Sequence, residues 1–278
     1  MKFRRMASNA AIYLVLGAVC FVCVLPFLWM LSSSFKQESK MFIYPPQWIP
    51  NPIVPQNYAN VFEHMPMLSY MWNSFKITII VVILCALVAT MAGFAFAKLD
   101  FPGRSVFFLL PLCSMMIPNE VIIIPLFKIW SALGFANTHV PLIVPHVIGA
   151  GGMFGVFVMR QFYLSVPSDL CEAAKIDGCT PLGTYWRIFI PLSGSGIATI
   201  SIYNFMNAWN DFFAPLIYLS NAKLYTVPLG LALFSDSQTV RWSELMAASV
   251  IATAPLMVMF FFAQRKFMES LALSGMKS

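Results

Sequence analysis

Long uncharged apolar stretches recur along the whole chain. Four of them have the length and lack of charge of a membrane-spanning helix: 10–31, 77–97, 139–159 and 245–264. The first has 22 residues, which as a helix extend about 33 Å and match a hydrocarbon core of roughly 30 Å. Two further stretches, 105–127 and 188–209, are similar in length but are broken by proline or carry polar side chains. The pattern predicts an all-α polytopic membrane protein with six transmembrane helices.

The composition agrees with this pattern. Hydrophobic residues make up 59% of the 278 residues and charged residues 10%, which is more apolar surface than a soluble domain of this length can bury. The surplus therefore faces membrane lipid.

The distribution of lysine and arginine predicts the orientation. Cytoplasmic segments hold the excess of these residues, and an even number of spans places both termini on one side. With the termini inside, the inner segments hold eleven: Lys2, Arg4, Arg5, Lys98, Arg104, Arg160, Lys175, Arg187, Arg265, Lys266 and Lys277. The outer segments hold six: Lys36, Lys40, Lys76, Lys128, Lys223 and Arg241. We expect both termini to be cytoplasmic. The net charge of +6 then follows from topology and requires no nucleic-acid partner.

The spans divide the chain into a six-helix domain, 10–264, between cytoplasmic tails at 1–9 and 265–278. The outer segment 32–75 is rich in proline and is interpreted as an ordered lid or docking loop. A second outer segment, 211–244, is partly apolar and is expected to dip back among the helices. The inner segment 160–187 separates the fourth and fifth spans.

This inner segment is longer than a simple connection needs, and its sequence predicts two helices. Ser168 is a suitable N-cap for a helix over about 169–177. Gly178 is suited to end that helix in the left-handed conformation. Thr180 and Pro181 are suited to begin a second helix that runs toward the membrane.

The first of these helices has a face of small side chains. Ala173 and Ala174 have little bulk, and Glu172, Lys175 and Asp177 flank them. A smooth face surrounded by charge can lie in a groove of a partner protein and be fixed by ion pairs. The alternative from these residues alone is a solvated helix pair at the membrane surface.

The same residues carry a family resemblance. The run Glu172-Ala173-Ala174, three residues, Gly178, nine residues, Ile188-Phe189-Ile190-Pro191 resembles the EAA loop of ABC importer permeases. That pattern reads EAA, three residues, Gly, nine residues, I-x-L-P, so isoleucine replaces leucine at one position. The stretches "FAFAKLDFPGR", "MIPNEVIIIPLF", "FVMRQFYLSVPSDLCEAAKIDG" and "AWNDFFAPLIYL" look like the carbohydrate-uptake subfamily. In particular, they resemble the second maltose permease subunit.

The resemblance implies a type I ABC importer permease fold and a set of partners. These partners are a second homologous permease subunit, two ATPase subunits and an extracytoplasmic sugar-binding protein. The resemblance also implies that the coupling helix, which contacts the ATPase, contains Glu172, Ala173, Ala174, Asp177 and Gly178. The chain has no GxxxxGK[ST] loop and no nucleophile motif, so we expect no enzymatic activity, cofactor or metal in this subunit.

Polar side chains on the fifth span are candidates for the substrate pathway. Residues with small or polar side chains recur at steps of three and four: Gly196, Thr199, Tyr203, Asn207 and Asn210. Such a stripe avoids lipid and faces either the pathway or the partner subunit. Amide, carboxylate and aromatic groups suit a sugar, which makes Asn207, Trp209, Asn210 and Asp211 candidate contacts.

Two polar residues follow a proline in the third span. Asn119 and Glu120 come directly after Pro118, and an ionisable group at that depth is a functional candidate. Backbone groups freed at the proline could also hold them. His146, between Pro145 and Val147, is more typical of a structural hydrogen-bonding residue.

Two other classes of membrane protein are alternatives. A secondary transporter or channel would need no ATPase, and a secondary transporter would be expected to show inverted repeats and several intramembrane charges. The sequence shows no convincing repeat. An intramembrane enzyme would need paired catalytic residues at one depth, and no such pair is visible. The resemblance thus implies a sugar-import permease of the plasma membrane, and the two alternatives lack the features they would need.

Overall fold

A computed structural model describes residues 2–235 and 240–275, and none of these residues forms a β-strand. Fourteen α-helices follow one another among them: α1 Lys2–Ser34, α2 Gln56–His64, α3 Met67–Lys98, α4 Arg104–Ser114, α5 Asn119–Ala132, α6 Val140–Ile148, α7 Ala150–Leu164, α8 Asp169–Ile176, α9 Pro181–Thr184, α10 Ile190–Leu192, α11 Gly194–Trp209, α12 Phe213–Tyr218, α13 Val227–Ser235 and α14 Trp242–Gly275. A π-helical stretch, Tyr185–Phe189, joins α9 to α10. The predicted all-α architecture is confirmed.

Four helical stretches of the described residues are long and apolar enough to cross a membrane: Ile12–Ser34, Met67–Lys98, Val140–Leu164 (α6 with α7) and Trp242–Phe262. The predicted third and fifth spans are bent pairs. The angle is 97° between α4 and α5, and 79° between Pro181–Leu192 and α11. Counting each pair as one crossing gives the six predicted spans.

The helices extend beyond the predicted spans. Helix α3 begins at Met67 rather than at residue 77, because hydropathy detects only the apolar part of a helix. The regions predicted as tails, 1–9 and 265–278, continue α1 and α14 as far as the structure describes them. Met1 and residues 276–278 lie outside the described residues.

The chain divides into two compact units, which are described separately. The first comprises Met1–Met67 and Gly230–Ala254, and the second comprises Leu68–Leu229 and Pro255–Ser278.

In the first unit, the outer proline-rich segment caps helix α14. The carboxylate of Glu38 accepts the backbone N–H groups of Trp242 and Ser243, each at 2.9 Å, and the Ser243 hydroxyl at 2.6 Å. These amides belong to the first turn of α14, which has no intrahelical acceptor for them. A carboxylate at this end also matches the positive pole of the helix dipole.

A buried carboxylate fixes helix α2 to the same region. Glu244 is buried and accepts Asn60 Nδ2 at 3.0 Å through Oε1. Its Oε2 lies 2.9 Å from His64 Nδ1, and Arg241 Nη1 lies 3.3 Å from Oε1. A buried charge requires such partners. The segment predicted to be an ordered lid or docking loop is thus held by specific polar contacts, and its docking role stays a prediction.

Two apolar cores lie among the described residues of the second unit. One includes Val81, Leu142, Tyr218 and Leu229, and the other is built largely of rings: Phe94, Tyr163, Tyr185 and Phe189. Because Tyr218 and Leu229 belong to the predicted outer segment 211–244, the expectation that this segment dips back among the helices is confirmed for its described part up to residue 229.

Close approach of helices α3 and α7 depends on glycine. A Cβ at Gly93 would lie 2.7 Å from Met159 Cβ, and one at Gly155 would lie 3.0 Å from Ala89 Cβ. Both distances are shorter than ordinary contact, so any larger side chain would force the two helices apart.

Candidate functional site

The inner segment forms helix, glycine corner and helix, as predicted. Helix α8 ends at Ile176, and Gly178 has φ +79°, a conformation that costs a residue with a Cβ roughly 1–2 kcal/mol. Thr180 Oγ1 accepts the backbone N–H of Gly183 at 3.1 Å. Pro181 occupies the first turn of α9, so the predicted Thr180 cap is confirmed.

Ser168 precedes α8 at the predicted N-cap position, but it does not cap the helix through its hydroxyl as predicted. Its backbone is already helical (φ −71°, ψ −22°), and its side chain makes no capping hydrogen bond. The Ser168 hydroxyl instead accepts Lys98 Nζ at 3.4 Å, and the same amine donates to the Val166 carbonyl at 2.6 Å. Lys98 ends helix α3, so it ties the start of the inner segment to that helix. No local pattern in the sequence indicates this long-range contact.

The exposed face of α8 differs from the predicted one. Ala174 is only 3% exposed and packs within the chain, because it faces the interior of its own unit. Ala173, Glu172 and Asp177 are exposed. Ile176 is 86% exposed, and sequence reasoning did not single it out. The outward face therefore combines the large apolar side chain of Ile176 with carboxylates that have no ion-pair partner among the described residues.

Hydroxyl contacts attach the inner segment to helix α3 and join helix α7 to the residues that follow that segment. Tyr185 Oη and Thr90 Oγ1 of α3 share a hydrogen bond of 2.8 Å. Ser193 Oγ donates to Tyr163 Oη of α7 at 2.8 Å. All four residues are buried, so a displacement of the inner segment would act directly on α3 and α7.

A cavity of about 710 Å³ lies elsewhere in the second unit. It is lined by residues of α5, α6, α7, α11 and α12. Six of the seven predicted pathway residues line it: Asn119, Glu120, Tyr203, Asn207, Asn210 and Asp211. Residues far apart in sequence thus surround one space, and the polar part of the α11 stripe faces that space.

The seventh predicted residue is placed differently. Trp209 is 2% exposed and stacks on Phe205 with ring centroids 5.8 Å apart. It does not line the cavity, and its predicted contact with substrate stays a prediction. The N-terminal end of the stripe packs against helix α7 instead of facing the cavity. A Cβ at Gly196 would lie 3.0 Å from Met159 Sδ.

Asp211 is held in a fixed orientation. Its Oδ1 accepts the backbone N–H of Ala214 at 3.2 Å, and its Oδ2 lies 3.2 Å from His146 Nε2. Both side chains are largely buried. His146 is therefore a hydrogen-bonding residue, as interpreted, and it also lines the cavity.

A break between helices α6 and α7 forms part of the wall. Gly149 interrupts the two helices with extended backbone, φ −96° and ψ −158°, and Pro145, His146, Ala150 and Gly151 on either side line the cavity. Helix ends leave backbone groups without intrahelical partners. In a membrane protein, such a break is tolerated where it faces protein or water.

Helices α7 and α11 connect the cavity to the inner segment. Helix α7 has 15 residues and α11 has 16, so they extend about 22 Å and 24 Å. One end of each helix lines the cavity and the other adjoins the inner segment. The two helices touch along their length, since the rings of Phe154 and Tyr203 are 4.3 Å apart.

A helical membrane protein with this construction, a polar cavity joined by paired helices to an exposed short helix, is typical of the class of transporter subunits. Residues 87–271 match the family model described as the binding-protein-dependent transport system inner membrane component. The chain belongs to that family.

Similar proteins agree with this assignment. The chain is 34% identical over 262 residues to the arabinooligosaccharides transport system permease protein AraQ of Halalkalibacterium halodurans, covering 93% of each chain. It is 30% identical to the trehalose/maltose transport system permease protein MalG of Thermococcus litoralis, covering 96% of each.

The fold is also known from a solved structure. A chain of a bacterial ABC transporter involved in the import of the acidic polysaccharide alginate has a TM-score of 0.82 and 19% identity. The match covers 94% of this chain and 97% of that chain. The predicted fold of an ABC importer permease is confirmed.

Proposed function

We propose that this chain is one of two permease subunits of a sugar importer in the plasma membrane, with both termini in the cytoplasm. Two separate ATPase subunits bind from below, and an extracytoplasmic sugar-binding protein delivers the solute. The relatives named for arabinooligosaccharide and trehalose/maltose transport support a carbohydrate as the solute. This subunit forms the pathway and is not itself an enzyme.

Helix α8 is the coupling helix. Ile176 offers an apolar anchor, and Glu172 and Asp177 offer carboxylates for lysine or arginine on an ATPase. Large apolar side chains surrounded by polar groups are typical of docking surfaces. Ala173 allows close approach, and Gly178 sets the direction of the following helix.

The observation that carries this proposal is the pairing of α7 and α11. Both helices adjoin the inner segment at one end and line the cavity at the other. When ATP closes the two ATPase subunits, the docked segment moves, and these packed helices transmit the motion as rigid elements. The cavity changes its access only if docking favours one permease conformation over the other.

The cavity is the sugar pathway through this subunit. Asn207, Asn210 and Asn119 offer amides that both donate and accept, and Tyr203 adds an aromatic face. Sugars present hydroxyl groups and an apolar ring face, which these groups match.

A pair of glycine substitutions tests the coupling role. Gly178 and Gly134 have φ values of +79° and +78°, and a Cβ would meet no neighbour within 4 Å at either. Gly178→Val and Gly134→Val therefore impose the same local strain, but only the first alters the coupling segment. We expect Gly178→Val to insert normally while ATPase co-purification and sugar uptake fall at least ~10-fold. Gly134→Val should retain both.

Full ATPase co-purification and uptake in Gly178→Val would contradict the coupling role. Transport by the purified chain alone in liposomes, without an ATPase, would instead establish the secondary transporter or channel.

A further inference from the structure

We infer that the cavity selects sugars without acidic groups. On this inference it accepts neutral or amino-bearing sugars and rejects uronates and sugar phosphates. The inference rests on the proposed role of the chain in sugar import and adds to it the chemical class of the substrate.

The charged groups of the cavity wall are the first reason. Glu120 and Asp211 are carboxylates, and none of the lining residues within the described ranges is a lysine or arginine. Recognition of a carboxylate or phosphate relies on such cations, because they form charge-assisted hydrogen bonds. An anionic sugar would meet two like charges and no basic side chain other than a histidine.

His146 does not change this balance. It is the one basic ring in the described wall, and its Nε2 lies 3.2 Å from Asp211 Oδ2. Since a carboxylate can only accept, that nitrogen donates to Asp211. The ring is thus directed at a fixed carboxylate of its own chain.

Glu120 is placed to meet a ligand. It lies in the first turn of α5 and is exposed to the cavity, and it has no ion-pair partner among the described residues. An unpaired carboxylate favours a hydroxyl or an ammonium group as its neighbour. Amides and the rings of Tyr203 and Phe212 complete a surface suited to a neutral sugar.

The fold by itself does not impose this selectivity. A solved chain of the same fold belongs to a transporter involved in the import of an acidic polysaccharide. Selectivity for charge therefore depends on the wall residues of each chain, which makes Glu120 and Asp211 the specificity-determining residues here.

Matched thiol reagents of opposite charge test the cavity without knowledge of the substrate. Asn207→Cys places a thiol on the wall, and Ser220→Cys places one at an exposed position outside it. Both lie in the tryptic peptide 188–223, which contains no native cysteine. Mass spectrometry of this peptide in the full chain therefore reports modification by trimethylammonium and sulfonate methanethiosulfonates at the introduced thiol alone.

The ratio of cationic to anionic modification rates at residue 207, divided by the same ratio at residue 220, isolates the charge of the cavity. We expect this normalised ratio to be at least ~10. Asp211→Asn with Glu120→Gln should bring it within ~3-fold of one. Glu120→Gln alone, which removes no contact within the described chain, should lower it part of the way even if the double variant fails to fold.

A normalised ratio near one, or one that neutralisation leaves unchanged, would overturn the inference. Because this measurement requires neither ATPase nor transport, such a result would leave the coupling role intact. Failure of ATPase co-purification in the wild type would instead count against the proposed function.

Binding to the full chain in nanodiscs gives a second readout. Cellobiose, the glucosamine disaccharide and digalacturonate are matched in size and differ in charge. We expect the first two to bind at least ~10-fold more tightly than the uronate. Equal binding of digalacturonate, or no binding of any of the three, would contradict the inference.

Discussion

The outward face of helix α8 and the wall of the cavity belong to the same compact unit, but the carboxylates of α8 and Asp211 of the wall are held in opposite ways. On α8, Glu172 and Asp177 are exposed together with Ile176 and have no ion-pair partners in the described chain. In the cavity, both oxygens of Asp211 are engaged, one by His146 and one by a backbone amide.

This difference indicates two kinds of ligand. An exposed helix face with a large apolar side chain buries that side chain only when a macromolecule covers it. A concave wall with a pre-oriented acceptor is suited to a small molecule, because little ordering remains to be done on binding. On the proposed function, one unit carries a protein-docking surface and a solute-binding surface, joined by α7 and α11.

Three substitutions test this comparison, and the largest effect is expected at Ile176. Ile176→Glu places a charge where an apolar anchor should be buried against the ATPase, at a cost of about 2 kcal/mol or more, which is ~30-fold in affinity. Titration of the purified ATPase against the permease complex measures this change. Ile49→Glu is the control, since Ile49 is also exposed, at 81%, but lies in the outer segment. Equal effects of the two substitutions would show that α8 is not the docking surface.

An intermediate effect is expected in the cavity. Asp211→Asn keeps the shape of the side chain but weakens its hydrogen bonds to the solute, so uptake of the transported sugar should fall ~5–10-fold. ATPase co-purification should stay at the wild-type level, because the docking surface is unaltered. A parallel loss of ATPase binding would show that the two surfaces are not separable.

The smallest effect is expected at the cap of the second inner helix. Thr180→Ala removes the acceptor for the Gly183 amide and should cost about 1 kcal/mol locally. Hydrogen exchange at residues 183–184 should accelerate ~5-fold as a result. Thr199→Ala is the matched control, since that hydroxyl donates to a carbonyl within α11. Unchanged exchange in Thr180→Ala would show that the cap does not hold the corner.

The features of helix α8 that could be predicted from the sequence differ in kind from those that could not. The glycine corner and the Thr180 cap were predictable because they depend on a few adjacent residues and on backbone rules. The inward turn of Ala174 and the exposure of Ile176 were not, since spacing alone does not tell which face of a short helix packs on its own chain. The hydrogen bonds of Lys98 to residues 166 and 168 also could not be predicted, because they depend on tertiary structure.

In the cavity, the helical period correctly selected Tyr203, Asn207 and Asn210 as one face. Trp209 was assigned by chemistry rather than by period, and its position places it against Phe205 instead. The pairing of His146 with Asp211 joins residues far apart in the chain, and no local pattern indicates it. Local rules therefore predicted which residues share a helix face, and tertiary structure determined what that face contacts.

The Glu38 cap on helix α14 has a consequence for the order of biosynthesis. Translation proceeds from the N-terminus, so the carboxylate of Glu38 leaves the ribosome long before the amides of Trp242 and Ser243 that it accepts. When helix α14 is made, the acceptor for its first amides has therefore already been synthesised. A circular permutant whose new termini lie between residues 38 and 242 would reverse this order. Its residues 242 and 243 would then emerge before Glu38, the acceptor of their amides.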